Sequence, residues 1–272
     1  MTLATVIGAG GFIGGRLVEI LLAQGRDVLA PGRGDLSFFQ QPLGTVFYCA
    51  GLTGDFGARP FDAVEAHVGL IAKILRDAQF DRLIYLSSIR LYDSAAKNGG
   101  RESDPLTLDP ALPRHVYDLS KALGENLTLT QSAGRGSVAR LGNVFDLHPL
   151  ASGFLSELLA RATREQEIFL ESSPKSARDY IHVDDAVTAL MALESRAASG
   201  IVNVARGENI DNAELSRIFK VAGRKLVFLG KSEPEPPPVC DIARLRALGV
   251  QPRDARNVLQ RLLAAPSLPS LG

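Results

Sequence analysis

The residues most able to do chemistry sit one helical turn apart. In Tyr117-Asp118-Leu119-Ser120-Lys121 the tyrosine and the lysine share one helix face. A phenol titrates near ~10 in water, too high for acid–base work at neutral pH. A neighbouring ammonium favours the phenolate, so the pairing predicts a lowered phenol pKa. Ser88, at the end of an apolar run, can hold by hydrogen bond the same substrate oxygen on which the phenol acts. A Tyr-x-x-x-Lys pair arises on many helices by chance. Here its weight comes from the Ser-Ser strand end and from a glycine-rich turn earlier in the chain.

That turn is Gly8-Ala9-Gly10-Gly11-Phe12-Ile13-Gly14. It lies between a compact apolar strand at 3–7 and a helical pattern at 12–24. The first glycine permits a tight turn, the next lets backbone approach a pyrophosphate, and the last lets helix and strand pack closely. The helix N-terminus, at Phe12 and Ile13, offers free N–H groups and partial positive charge to phosphates. The pattern predicts a dinucleotide site, to which Ala50 and Gly51, ending the third strand, and Tyr117 and Lys121 also belong. NAD sites carry an acidic residue after the second strand to bind the ribose hydroxyls; here Pro31-Gly32-Arg33 stands instead. A guanidinium in place of a carboxylate suits the 2′-phosphate of NADP. NADP(H) is therefore preferred and NAD(H) possible, with Asp35 in the ribose role as the alternative.

The elements that must position these residues follow from periodicity. Strands are predicted at 3–7, 28–30, 46–50, 83–86 and 137–141, with helices at 12–24, 61–79 and 116–131 between them. Such alternation implies an α/β fold: a Rossmann-type, doubly wound parallel sheet covered on both faces, with its ligand at the carboxyl ends of the strands. Beyond Leu141 the alternation loosens. Helices are predicted at 154–163, 183–195 and 212–221 and a strand at 202–204. Residues 233–238, Glu-Pro-Glu-Pro-Pro-Pro, read as a stiff connector, and the tail at 266–272 as frayed. The division is a dinucleotide-binding domain over 1–145 and a small C-terminal substrate-binding part over 146–272, interleaved with it.

Composition narrows the function classes. The 272 residues carry 30 Lys+Arg and 30 Asp+Glu, a balance of zero, which gives no general field for nucleic acid or an acidic membrane. Hydrophobic residues make up 46% and charged residues 22%, ordinary globular proportions that exclude disorder for the bulk of the chain. No apolar run is long enough to span a bilayer, and no basic segment precedes the first apolar stretch as in an export signal. The chain reads as soluble and cytoplasmic. Cys49 and Cys240 are too few and too distant for a disulfide framework or zinc site. His115, His148 and His182 are too widely spaced for a local ligand pattern, so no metal is expected. His182 is read as structural, and Phe38, Phe39 and Phe154 as packing residues.

Together these features carry a resemblance. Gly8, Gly11 and Gly14 match a Gly-x-x-Gly-x-x-Gly turn, Ser87-Ser88-Ile89-Arg90-Leu91-Tyr92 a Ser-Ser-x-x-x-Tyr strand end, and Tyr117 with Lys121 a Tyr-x-x-x-Lys pair. The segments Arg140-Leu141-Gly142-Asn143-Val144-Phe145 and Arg178-Asp179-Tyr180-Ile181-His182-Val183-Asp184-Asp185 fit as well. The chain resembles an extended short-chain dehydrogenase/reductase of the NAD-dependent epimerase/dehydratase family, whose members mostly act on nucleotide sugars. The resemblance runs from Thr5 to about Asn203. It implies that Ser88, Tyr117 and Lys121 are catalytic and that Ser88, Asn143 and Arg178 bind substrate, the last two near its phosphates. It further implies hydride transfer at a sugar carbon while Tyr117 exchanges the hydroxyl proton, and a homodimer through the helices at 61–79 and 116–131.

The departures sharpen the reading. The segment between Arg33 and Val46 is short, so one strand–helix unit of the sheet is reduced or absent. His67 replaces an asparagine common on the long helix. The dehydratase branch carries Asp-Glu where this chain has Ile89-Arg90, which cannot perform that proton transfer. No cysteine marks the branch that epimerises and reduces, and the short C-terminal portion implies an abbreviated lid. A nucleotide-sugar 4-ketoreductase is the favoured reading. A C4 epimerase with tightly bound NAD is the alternative within enzymes, and a non-catalytic dinucleotide sensor or scaffold the alternative outside them.

Overall fold

Alternation along three central strands decides how the sheet is covered. The computed structural model describes residues 3–52, 54–94 and 99–264; the tail at 266–272 lies outside the described residues. The order runs β1 (Ala4–Ile7), α1 (Phe12–Ala23), β2 (Val28–Leu29), β3 (Thr45–Tyr48), α2 (Pro60–Val64), α3 (Leu70–Asp77), β4 (Arg82–Ser88), α4 (His115–Gln131) and β5 (Gly136–Leu141). Val46, Tyr48, Leu83, Tyr85 and Val138 point to one side, with Ile71 and Ile74 of α3. Phe47, Ile84, Leu86, Ala139 and Leu141 point to the other, with Leu17 and Leu21 of α1. A sheet apolar on both faces needs helices on both.

The second half of the chain continues with β6 (Asn143–Phe145), α5 (Phe154–Ala162), β7 (Glu167–Leu170), β8 (Ala177–His182), α6 (Val183–Ser195), β9 (Gly200–Val204), β10 (Asn209–Asp211), α7 (Asn212–Val221), β11 (Lys225–Phe228), α8 (Ala243–Ala247) and α9 (Ala255–Ala264). The main sheet is parallel, in the order β2-β1-β3-β4-β5-β9. The chain leaves β1 for β2 on one side and returns to β3 on the other, so the switch point lies at the carboxyl ends of β1 and β3. Between β2 and β3 there is only the short 3-10 turn Ser37–Gln40, which is the missing strand–helix unit. β9 completes this sheet from well beyond residue 145, and α6 covers it with Val187, Leu190 and Leu193.

A separate apolar cluster gathers Leu155, Leu158, Leu159, Leu215, Phe219 and Leu259 from α5, α7 and α9. Beside it lie two small sheets, β10-β8-β6 and β11-β7. His182 caps α6, its Nδ1 accepting from the Asp184 N–H at 3.2 Å, which is the structural role read for it. Among the described residues no helix is long and apolar enough to cross a membrane, and no cluster of metal-ligating side chains is found.

The helix expected over 61–79 is not continuous. A π turn at Glu65–Gly69 separates α2 from α3. π turns displace the backbone hydrogen-bond ladder; here the Ala66 and His67 carbonyls accept from the Tyr48 and Tyr85 hydroxyls, at 2.7 and 3.0 Å. α4 approaches this turn at Gly124, where a Cβ would lie 2.2 Å from the Tyr85 hydroxyl. The π turn thereby brings His67 against α4.

Candidate active site

The glycine turn is built to exclude side chains. Gly8 has φ +88°, and a Cβ there would lie 2.7 Å from the Ala50 nitrogen; one on Gly14 would lie 2.3 Å from the Gly8 carbonyl oxygen. Phe12 starts α1 with Gly11 as its cap, and no acidic residue occupies the first turn. Exposed helix N–H groups without a nearby carboxylate suit an anion. The cradle opens at the sheet's switch point, beside Ala50 and Gly51, and a Cβ on Gly51 would lie 3.3 Å from Lys121 Nζ.

Ser88, Tyr117 and Lys121 converge across that opening. Ser88 ends β4, and the Tyr117 ring packs against Phe56 at 5.1 Å and, edge-on, against His67 at 5.2 Å. Lys121 Nζ donates to the Leu86 carbonyl at 2.8 Å and lies 5.0 Å over the Tyr85 ring. Burial brings its pKa down to about 7, opposed by the Glu125 carboxylate. The Tyr117 phenol departs from expectation. Burial pushes it up to about 12, against the easing effects of Ser88 and the Arg90 charge and with Asp118 and Asp93 adding to the rise. A charge must be solvated or paired, and the enclosed ring provides neither in full. The Arg90 charge is among the groups that ease its ionisation.

A match to a family model decides the identity: the model of the NAD dependent epimerase/dehydratase family covers residues 4–205. The chain belongs to that family. It is an NAD(P)-dependent enzyme with the extended short-chain dehydrogenase/reductase fold. It is 25% identical to dTDP-4-dehydro-6-deoxy-D-allose reductase of Streptomyces bikiniensis, over 94% of this chain and 93% of that one. Its fold is similar to MoeE5 in complex with UDP-glucose and NAD, with TM-score 0.81, 24% identity and coverage of 97% of both chains. It is also similar to RMD from Pseudomonas aeruginosa complexed with NADPH, with TM-score 0.79, 19% identity and coverage of 97% and 98%.

The remaining sequence candidates of this family member lie as follows. Arg33 is exposed in the turn after β2, and Gly32 has open space where a Cβ would be. The Asp35 carboxylate is engaged within its own loop, accepting from the Ser37 N–H at 2.8 Å. Asn143 is exposed at the start of β6 and donates to the Asp179 carbonyl at 3.1 Å. Arg178 on β8 stacks on Phe154 at 4.7 Å, and its Nη1 is buried without a hydrogen-bond partner.

The structure adds residues that spacing did not single out. His67 is buried; its Nε2 accepts from the Leu52 N–H at 3.2 Å, so Nδ1 carries the proton and faces Ser120 Oγ at 2.8 Å. Burial and the nearby Lys121 charge bring its pKa down to about 2. His67 is thus a neutral pin joining the loop after β3 to α4. Its departure from asparagine was visible in the sequence, but the π turn that aims it was not. Phe56 gives no local signal, and nothing local places Arg90 over the phenol.

Proposed function

We propose that the chain is an NADPH-dependent 4-ketoreductase acting on a nucleotide sugar. The observation that carries this reading is the meeting of Ser88, Tyr117 and Lys121 beside a glycine cradle that admits no side chain at Gly8 or Gly14. Its likeness to a nucleotide-sugar reductase over nearly the whole chain supports the substrate class. The cofactor would be held by Gly8, Gly11, Phe12, Ile13 and Gly14 at its pyrophosphate, by Ala50 and Gly51 along its length, and by Tyr117 and Lys121 near the ribose. When bound, it supplies the hydride.

The chain's own residues then handle the proton. Ser88 holds the substrate carbonyl oxygen by hydrogen bond, and Tyr117 donates its proton to that oxygen as negative charge develops. Burial raises the Tyr117 phenol, so at neutral pH it is protonated and able to donate. Lys121 orients the ribose and lies beside Tyr117 on the same helix face. Arg178, with its unpaired buried Nη1, and Asn143 would take the substrate phosphates. Residues 146–272, apart from α6 and β9, would form the substrate-binding part. A reductase releases its oxidised cofactor each turn; purified protein retaining stoichiometric NAD would instead indicate the C4 epimerase.

Two finer proposals accompany this one. With Arg33 free in its turn and Asp35 occupied by Ser37, NADPH should bind about tenfold more tightly than NADH, since a charge-assisted contact contributes about 1.5–3 kcal/mol and less where exposed. Calorimetric titration of both cofactors checks it. Arg33→Ala should remove the preference by weakening NADPH alone, and equal affinities in the native chain would contradict it. The second concerns assembly. Phe61 is 86% exposed, and Val64 on α2 and Leu123 on α4 are exposed beside it. This apolar face suits a two-fold, four-helix dimer interface. Light scattering at micromolar concentration should give the mass of two chains; one chain would contradict it.

A further inference from the structure

Arg90 occupies a position at which the proposed reaction, as stated so far, needs no cation. It lies in the single 3-10 turn Ile89–Tyr92 that leaves β4, and its backbone N–H donates to Ser88 Oγ at 3.2 Å. Its guanidinium carbon sits 5.2 Å from the centroid of the Tyr117 ring and 4.8 Å from that of Phe56, while the two rings themselves lie 5.1 Å apart. The three groups form a closed triangle. The Asp118 carboxylate faces Arg90 at 3.9 Å, beyond hydrogen-bond reach, and is engaged instead by Arg114 at 3.2 Å. Arg90 Nε and Asp118 Oδ1 are both buried without a hydrogen-bond partner. The guanidinium is thus held over the aromatic pair, with the Asp118 carboxylate at the outer limit of an ion pair and not hydrogen-bonded to it.

We propose that Arg90 is a positioning residue for Tyr117, fixing the ring face-on and favouring its phenolate so that the phenol is a stronger acid toward the substrate oxygen. A cation over an aromatic face is attracted to it, and the attraction grows when the ring carries negative charge. Arginine suits the place because a planar guanidinium stacks on two rings at once, whereas an ammonium does not. The other groups facing Tyr117 explain why such a residue is needed. Asp93, from the same turn as Arg90, and Asp118 on α4 oppose ionisation. Tyr85 on β4 is itself held neutral by burial. His67, from the π turn, is neutral, and Lys121 is directed to the Leu86 carbonyl. Arg114 is engaged with Asp118 and Asp93. Ser88 and Arg90 both ease proton release, and the hydrogen bond between Ser88 Oγ and the Arg90 N–H ties the two together.

The inference rests on Tyr117 being the proton donor, and its test separates the two claims. Tyr117 ionisation is followed by tyrosinate absorbance after a rapid pH jump, as each protein minus its Tyr117→Phe counterpart. Arg90→Met should raise the midpoint by about one pH unit, the order expected for losing one charge near 5 Å in a partly screened site. Arg90→Lys should restore more than half of that shift, and Phe56→Leu, which removes the backing ring, should give a smaller upward shift. In turnover, the alkaline limb of the kcat profile should move the same way, and the rate at neutral pH should fall about tenfold. Coincident midpoints for native, Arg90→Met and Arg90→Lys proteins would overturn the assignment. A native protein inert toward 4-keto nucleotide sugars would overturn the proposed function and leave the absorbance titration to decide Arg90 by itself.

Discussion

Replacing Tyr117 with phenylalanine should lower kcat by about 10²–10⁴-fold, the range for loss of a positioned general acid. At 1.36 kcal/mol per decade this is roughly 3–5 kcal/mol of transition-state stabilisation. The substitution is clean because the ring has its own reasons to stay. Phe56 at 5.1 Å, the His67 edge at 5.2 Å and the Arg90 guanidinium at 5.2 Å all contact the ring, so the aromatic packing survives loss of the hydroxyl. Stability should therefore change by less than about 1 kcal/mol, and NADPH affinity should fall by far less than kcat, because the glycine cradle is untouched and only the hydroxyl near the ribose is lost. Steady-state kinetics beside cofactor titration separates the two effects. A variant within about fivefold of the native kcat would remove Tyr117 from the chemistry.

The largest expected effect on stability lies behind α4. Arg140 on β5 and Glu125 on α4 form a two-pronged ion pair, at 2.9 and 2.6 Å, with side chains only 3% and 5% exposed. Arg140 Nη1 also donates to the Tyr92 hydroxyl at 2.8 Å, which donates to Asn203 Oδ1 on β9 at 2.9 Å. Asn203 in turn donates to the Gly100 and Asp241 carbonyls. Arg140→Met leaves the Glu125 carboxylate buried without its partner, which should cost about 3–5 kcal/mol. The double variant Arg140→Met with Glu125→Leu removes both charges and should recover most of that loss, since replacing a whole buried pair by apolar groups is often near neutral. Urea denaturation of the single and double variants checks this. A single variant losing less than about 1 kcal/mol would show that the pair contributes little. Glu125 also helps Lys121 keep its proton, so the single and double variants should differ in turnover as well as in stability.

What the sequence disclosed about this molecule tracks the range over which each physical demand acts. Gly8, Gly11 and Gly14 are legible because a phosphate turn makes its demands locally, through a positive φ and close backbone approach. Tyr117 and Lys121 are legible because one helical turn fixes their shared face, and β3 and the first part of β4 because strands buried on both faces are largely apolar. β6 and β10 have three residues each, and strands such as Ala-Arg-Asp-Tyr-Ile-His over β8 mix charge with apolar residues, so no alternation announces them. The π turn at Glu65–Gly69 is set by tertiary partners, Tyr48, Tyr85 and Gly124, and leaves no period of its own. The direction in which the Tyr117 phenol shifts also went against the local reading. A lysine one turn away argues for a lowered value, but the burial that reverses it comes from Phe56, His67 and the sheet, none of which adjoins Tyr117 in the chain. Arg90 was visible only as a residue unable to do a dehydratase's work; its place over the phenol emerges from the fold.

The most direct test of the account follows the hydride itself. A 4-keto nucleotide sugar is incubated with the protein and NADPH carrying deuterium at C4 of the nicotinamide, and the sugar is examined by NMR and mass spectrometry. The account predicts one deuterium at the former carbonyl carbon, a hydroxyl in place of the ketone, and one free NADP+ released per sugar reduced. A protein that consumes no NADPH, and instead interconverts 4-hydroxyl epimers of a nucleotide sugar without incorporating deuterium while keeping its cofactor bound, would contradict it.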